Sequence, residues 1–126
     1  MRIAIVGAGA IGCYYGGKLA AAGHDVHFLM RSGLEEVRRD GLRLIGPAED
    51  LKLPKLNCYS TTREIGPCDL VLIALKTTAN ESLPDLIPPL LHERTMLMTL
   101  QNGFGNEDFL ARHFGEERVL GGLCFI

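Results

Sequence analysis

Apolar residues in this chain come as short continuous runs that alternate with stretches of helical spacing, and glycine marks most of the boundaries. Arg2-Ile3-Ala4-Ile5-Val6 has the length and β-branched content of a buried strand and stops at Gly7. A helical pattern follows, with Ile11, Tyr14 or Tyr15, Leu19 and Ala22 on one face and Gly23 as its stop. Asp25 to Met30 predicts a second strand. Ser32-Gly33-Leu34-Glu35 has the spacing of a capping box and predicts a short helix ending at Gly41.

The middle of the chain changes character. Leu42 to Ile45 and Leu51 to Tyr59 alternate apolar and polar residues around a turn at Gly46-Pro47, which predicts a small antiparallel excursion. Thr61 and Glu64 offer a second capping box before a brief helix that ends at Gly66. Asp69 to Leu75 is almost continuously apolar, as strands buried on both faces are. Leu83, Leu86, Ile87, Leu90 and Leu91 fall at helical spacing, and Pro88-Pro89 must break or kink that helix. Thr95 to Leu100 predicts a further strand. A last helix carries Phe109, Leu110 and Phe114, with Glu107 and Asp108 at its start and Arg112 and His113 at its end, as the helix dipole favours. Val119 to Ile126 reads as one more buried strand.

Strands alternating with helices predict a doubly wound α/β fold, with a mainly parallel sheet and right-handed crossovers. The 126 residues suit one domain. The chain ends inside the strand pattern Leu123-Cys124-Phe125-Ile126, which predicts that residues 1–126 are part of a longer, two-domain protein. Hydrophobic residues make up 47% of the chain, enough for a packed core. A net charge of -2 leaves no basic footprint for nucleic acid. The uncharged stretch Ile3 to Gly17 is too short to span a membrane, and its glycines distinguish it from a signal peptide. Cys13, Cys58, Cys68 and Cys124 lie far apart, as buried thiols of a reducing, cytoplasmic compartment do, and neither they nor the four histidines have metal-ligand spacing.

The chemistry is concentrated where strands end. Gly7-Ala8-Gly9-Ala10-Ile11-Gly12 is a GxGxxG that follows a predicted strand and opens a predicted helix, the context a dinucleotide-binding loop requires. Gly7 permits the tight turn, Gly9 lets the backbone approach a pyrophosphate, and Gly12 lets the helix lie close on the strand. The helix start then offers free N–H groups and a positive dipole end. A carboxylate at the tip of the second strand would hold the ribose 2′-hydroxyl of NAD. Here the tip is Met30-Arg31-Ser32, and Asp25 lies at the other end. Arg31 is either a fork for the 2′-phosphate of NADP or a solvated surface charge. Lys76 and Asn102 follow the strands Asp69–Leu75 and Thr95–Leu100, so both fall on the edge where ligands bind in open parallel sheets. A lysine there can meet ribose hydroxyls or a substrate carboxylate. An asparagine can orient a nicotinamide ribose or a substrate oxygen.

The segments GAGAIGCYYGGKLAAAGHDVHFLMRS, ALKTTAN and LQNG together resemble the ketopantoate reductase (2-dehydropantoate 2-reductase) family over essentially the whole chain. The resemblance implies a Rossmann-type NADP-binding domain, normally joined to a C-terminal helical domain. It implies reduction of 2-dehydropantoate to (R)-pantoate with NADPH, on the route to pantothenate and coenzyme A. It assigns the pyrophosphate to Gly7–Gly12, the 2′-phosphate to Arg31, the cofactor ribose to Lys76, and both cofactor and substrate to Asn102. Phe125-Ile126 would run past the nicotinamide. The family's proton-donating lysine belongs to the helical domain, so the resemblance assigns no catalytic residue to these 126 positions and implies an inactive isolated chain. A homodimer of the full-length protein, with a small 2-oxo acid as the only other partner, completes the expectation. A related 2-oxo acid reductase, an opine-type dehydrogenase and a non-catalytic NADP-binding module stand as alternatives.

Overall fold

In a computed structural model of the protein, residues 1–30, 33–45, 50–53, 55–75, 81–101 and 106–121 are described. Their apolar runs become strands β1 (Arg2–Val6), β2 (Asp25–Leu29), β5 (Asn57–Tyr59), β6 (Leu70–Ile73), β7 (Met96–Thr99) and β8 (Val119–Gly121). These form one sheet in the order β5-β2-β1-β6-β7-β8, and every neighbouring pair is parallel. Such strands are covered on both faces, so alternate residues feed two separate cores. Ile3 and Ile5 of β1 join Val26, Phe28 and Leu72 on one face, packed against Ile11, Tyr15 and Leu19 of α1 (Ala10–Ala21) and Leu34 and Val37 of α2 (Leu34–Asp40). Ala4 and Val6 join Val71, Ile73 and Leu97 on the other face. There they meet Ile65 of α3 (Thr62–Ile65), Leu83 of α4 (Leu83–Leu86) and Leu110 of α5 (Asn106–Phe114). Each fully buried isoleucine, leucine, valine or phenylalanine among them is worth about 1.5–3 kcal/mol against leaving it in water.

The Thr61 side chain accepts from the Glu64 backbone N–H while the Glu64 carboxylate receives the Thr61 N–H, so the expected capping box forms. Proline breaks the fourth helix as expected: α4 stops at Leu86 and Pro88–Leu90 continues as a 3-10 turn.

Four expectations need correction. The excursion is a hairpin of β3 (Leu42–Ile45) and β4 (Asp50–Leu53), but Asn57–Tyr59 leaves it to pair with β2 in the main sheet. A proline at position 54 cannot donate to a ladder and separates the two strands. The predicted hairpin turn at Gly46-Pro47 lies outside the described residues. Helix α2 begins at Leu34 with Gly33 in its cap position at φ +73°, one residue later than the Ser32–Glu35 spacing suggested; Ser32 itself is outside the described residues. On α1, Ile11, Tyr15 and Leu19 face the core as expected, but the buried positions are Gly12, Gly16 and Gly17, Tyr14 is exposed, and Ala22 lies beyond the helix end. The side of β8 is less covered than expected: Leu120 is 41% exposed, because β8 is the outermost strand on that side among the described residues. Residues 122–126 of the expected strand are outside the described set.

Candidate functional site

The chain runs from β1 outward to β2 and β5, then returns to place β6 on the other side of β1. Helix α1, which follows β1, covers one face of the sheet, and α4, which follows β6, covers the opposite face. The strand order therefore reverses between β1 and β6, and in open α/β sheets the carboxyl ends at such a reversal frame the ligand crevice.

Gly7 turns the chain at the lip of that crevice with φ +103°. A Cβ on Gly7 would stand 2.8 Å from the Leu75 backbone nitrogen and 2.9 Å from the Ala74 carbonyl carbon, so no side chain fits between the two strand ends. Gly12 lies in the first turn of α1, and a Cβ there would be 2.0 Å from the Gly7 carbonyl oxygen. The helix is thus seated directly on its own loop. Gly9 is different. It is exposed, and a Cβ built on it meets none of the described residues beyond its chain neighbours within 4 Å. Gly9 caps α1 in extended conformation with no side-chain hydrogen bond, and the first turn contains no acid. The leading N–H groups of a helix have no internal partner, and here the cap residue has no side chain to take them. Donors, dipole and open space coincide at one point, as an anion site at a helix start requires.

Two contributors were not foreseen. Cys13, read as a small hydrophobe, is only half-buried, and its thiol donates to the Ala8 carbonyl at 3.1 Å. Burial pushes the Cys13 thiol pKa up, which keeps it protonated and able to donate. Gly16 is the second. Its Cβ would fall 2.6 Å from the Phe28 ring and 2.8 Å from Ile5, so the close seating of α1 extends one turn beyond the GxGxxG motif. The i, i+4 spacing of Gly12 and Gly16 was the available signal.

Arg31, Lys76, Asn102 and Ile126 lie outside the described residues. The residues that precede three of them are placed. Met30 is buried just past β2 with its N–H donating to the Tyr59 carbonyl. Leu75 adjoins Gly7, and Gln101 is buried just past β7. Asp25 stands at the opposite edge, in register with Arg2, as the sequence indicated.

A profile described as "Ketopantoate reductase PanE/ApbA" matches residues 3–126. A 2-dehydropantoate 2-reductase of Nostoc sp. is 44% identical over 99% of this chain and 39% of its own length. The crystal structure of a 2-dehydropantoate 2-reductase from Geobacter metallireducens GS-15 is 51% identical, with a TM-score of 0.98 over 100% of this chain and 42% of that one. A ternary structure of D-mandelate dehydrogenase with NADH and anilino(oxo)acetate superposes with a TM-score of 0.85 at 26% identity, over 98% of this chain and 40% of that one. The chain therefore spans about two fifths of the length of the relatives it matches. Together, the glycine loop, the parallel strand order and the match over residues 3–126 show that this chain belongs to the ketopantoate reductase family.

Proposed function

We propose that this chain is the NADP(H)-binding domain of a 2-dehydropantoate 2-reductase, which reduces 2-dehydropantoate to (R)-pantoate for pantothenate and coenzyme A synthesis. The observation that carries this reading is the start of α1, which has no capping side chain, no acid in its first turn, and open space over Gly9. A dinucleotide pyrophosphate fits that chemistry. The N–H groups of Ala10, Ile11 and Gly12 would donate to it, and Gly7, Ala8 and Gly9 would form the floor.

The remaining assignments are part of the same proposal. Arg31 grips the 2′-phosphate, Lys76 meets the cofactor ribose, Asn102 touches cofactor and substrate, and Ile126 passes the nicotinamide. When bound, NADPH supplies a hydride from nicotinamide C4 to the ketone carbon. The residues of this chain bind and orient; none of them is assigned as the proton donor. The 2-oxo acid is the small-molecule partner, and no nucleic-acid partner is proposed. The longer protein works in the cytoplasm as a homodimer. Among the described residues no helix is long and apolar enough to cross a membrane.

A second reading is favoured by the D-mandelate dehydrogenase likeness: a reductase of another 2-oxo acid, using NADH. Titrating the chain with NADPH and with NADH separates the two. The proposal predicts tighter binding of NADPH and no turnover of 2-dehydropantoate by this chain alone. Preference for NADH would support the second reading, absence of binding would remove both, and robust turnover would contradict the missing proton donor.

A further inference from the structure

Thr99, Gln101 and Asn106 are buried polar residues at 1%, 8% and 4% exposure, and the phosphate-loop account uses none of them. They bracket the junction between β7 and α5 on the carboxyl edge of the sheet. Burying a polar side chain costs free energy unless its hydrogen bonds are made, so its presence in a core calls for a reason. At Thr99 the bonds form a closed ring. The Gln101 backbone N–H donates to Thr99 Oγ1 at 3.1 Å, and the Thr99 hydroxyl donates to Gln101 Oε1 at 3.0 Å. Packing alone does not call for that hydroxyl. Leu97, on the same face of β7, is fully buried among apolar side chains, and a valine at position 99 would fill nearly the same volume. The ring fixes both the backbone and the side chain of Gln101, the second residue beyond the strand.

The place of that residue suggests its use. β7 stands two strands from β1, roughly 10 Å away at ordinary strand spacing. A dinucleotide lies across the crevice with its pyrophosphate over the first loop and its adenosine over the second strand. The ends of β6 and β7 then lie beneath the other half of the molecule.

We propose that the Thr99–Gln101 ring positions the end of β7 for the nicotinamide half of the cofactor. Thr99 and Gln101 act as positioning residues, through the backbone that leaves the strand. This rests on reading the chain as a dinucleotide-binding domain, and the test keeps the two claims apart. The chain is titrated with NADPH and with 2′,5′-ADP, which carries the adenosine and 2′-phosphate but no nicotinamide half. Failure of the unaltered chain to bind NADPH would remove the parent reading. Given binding, Thr99→Val, which removes both bonds of the ring, should weaken NADPH about tenfold or more and leave 2′,5′-ADP unchanged. Thr99→Ser, which keeps the hydroxyl, should restore NADPH affinity. Gln101→Met keeps the volume and loses the amide, so it should repeat the Thr99→Val pattern and serves if that variant does not fold. Equal weakening of both ligands, unchanged NADPH affinity, or failure of both variants to fold would each mark the ring as structural only and overturn the proposal.

Discussion

At the amino edge of the sheet, side chains close on one another. The Arg2 backbone N–H donates to Asp69 Oδ2 at 2.8 Å, and Asp69 Oδ1 meets His92 Nε2 at 2.9 Å. The Arg2 guanidinium reaches Asp25 at 3.5 Å and donates to the Ile65 carbonyl. His27 is buried with Nδ1 3.3 Å from the Tyr59 hydroxyl, and its Nε2 stands 2.8 Å from Asp25 Oδ1, at ion-pair distance but out of line for a hydrogen bond. The carboxyl edge at β1 is finished in the opposite manner. Its strand runs into glycine, its helix begins without a cap, and the space above Gly9 is open. The difference teaches where this fold spends its polar groups. The amino edge uses them to hold the sheet together, and the carboxyl end of β1 leaves the helix start without a capping side chain.

The comparison can be broken most severely at Gly12. A methyl group there must displace the Gly7 carbonyl, so Gly12→Ala should cost about 3 kcal/mol, the upper part of the range for overpacking, read as a lower urea midpoint. Arg31→Ala should leave stability alone and weaken NADPH by about 1.5–3 kcal/mol, or about 10- to 150-fold, with little change for NADH. Raising salt should shrink the NADPH preference in the same titrations. Gly16→Ala should cost about 1–2 kcal/mol, less than Gly12→Ala, because the Phe28 and Ile5 side chains can move further than a backbone carbonyl.

Acid should loosen the amino edge. Burial lowers the His27 pKa, the Arg2 charge adds to this, and Asp25 only partly opposes it. The fold therefore favours neutral His27, while the unfolded chain protonates it near pH 6.5. Its contribution is present above that pH and is lost as pH falls through the lowered value. The Asp69 pKa is also lowered, first by the Arg2 N–H and then by His92, so its contribution too is lost on acidification, further down the scale. Urea midpoints should fall between pH 7 and pH 5, and His27→Gln should flatten that slope. A slope that persists in the variant would assign the acid sensitivity elsewhere.

Much of this arrangement is legible in the chain, for identifiable reasons. Period-two and continuous apolar runs report strand faces, so the parallel sheet follows from Ile3–Val6 and Leu70–Leu75. The glycine loop announces itself by its place between strand and helix, and Thr61 with Glu64 by spacing. Pairing partners are less visible: Asn57–Tyr59 alternates as a hairpin arm would, and only its register with β2 shows its sheet. Gly16 carries no hydrophobic signal, although its lack of a side chain is what lets α1 approach Phe28. Cys13 and the Thr99–Gln101 ring act through bonds to nearby backbone, which hydropathy does not record.

Gly9→Val tests the central claim most directly, because a Cβ there meets no described residue beyond its chain neighbours within 4 Å and points into the space assigned to the pyrophosphate. Urea unfolding and NADPH titration on the same sample give both readings. Stability should fall by no more than about 1 kcal/mol, the scale of exchanging a good N-cap residue for a poor one, while NADPH binding should drop below measurement. NADPH affinity equal to that of the unaltered chain would contradict the claim and reduce Gly7–Gly12 to a turn between a strand and a helix.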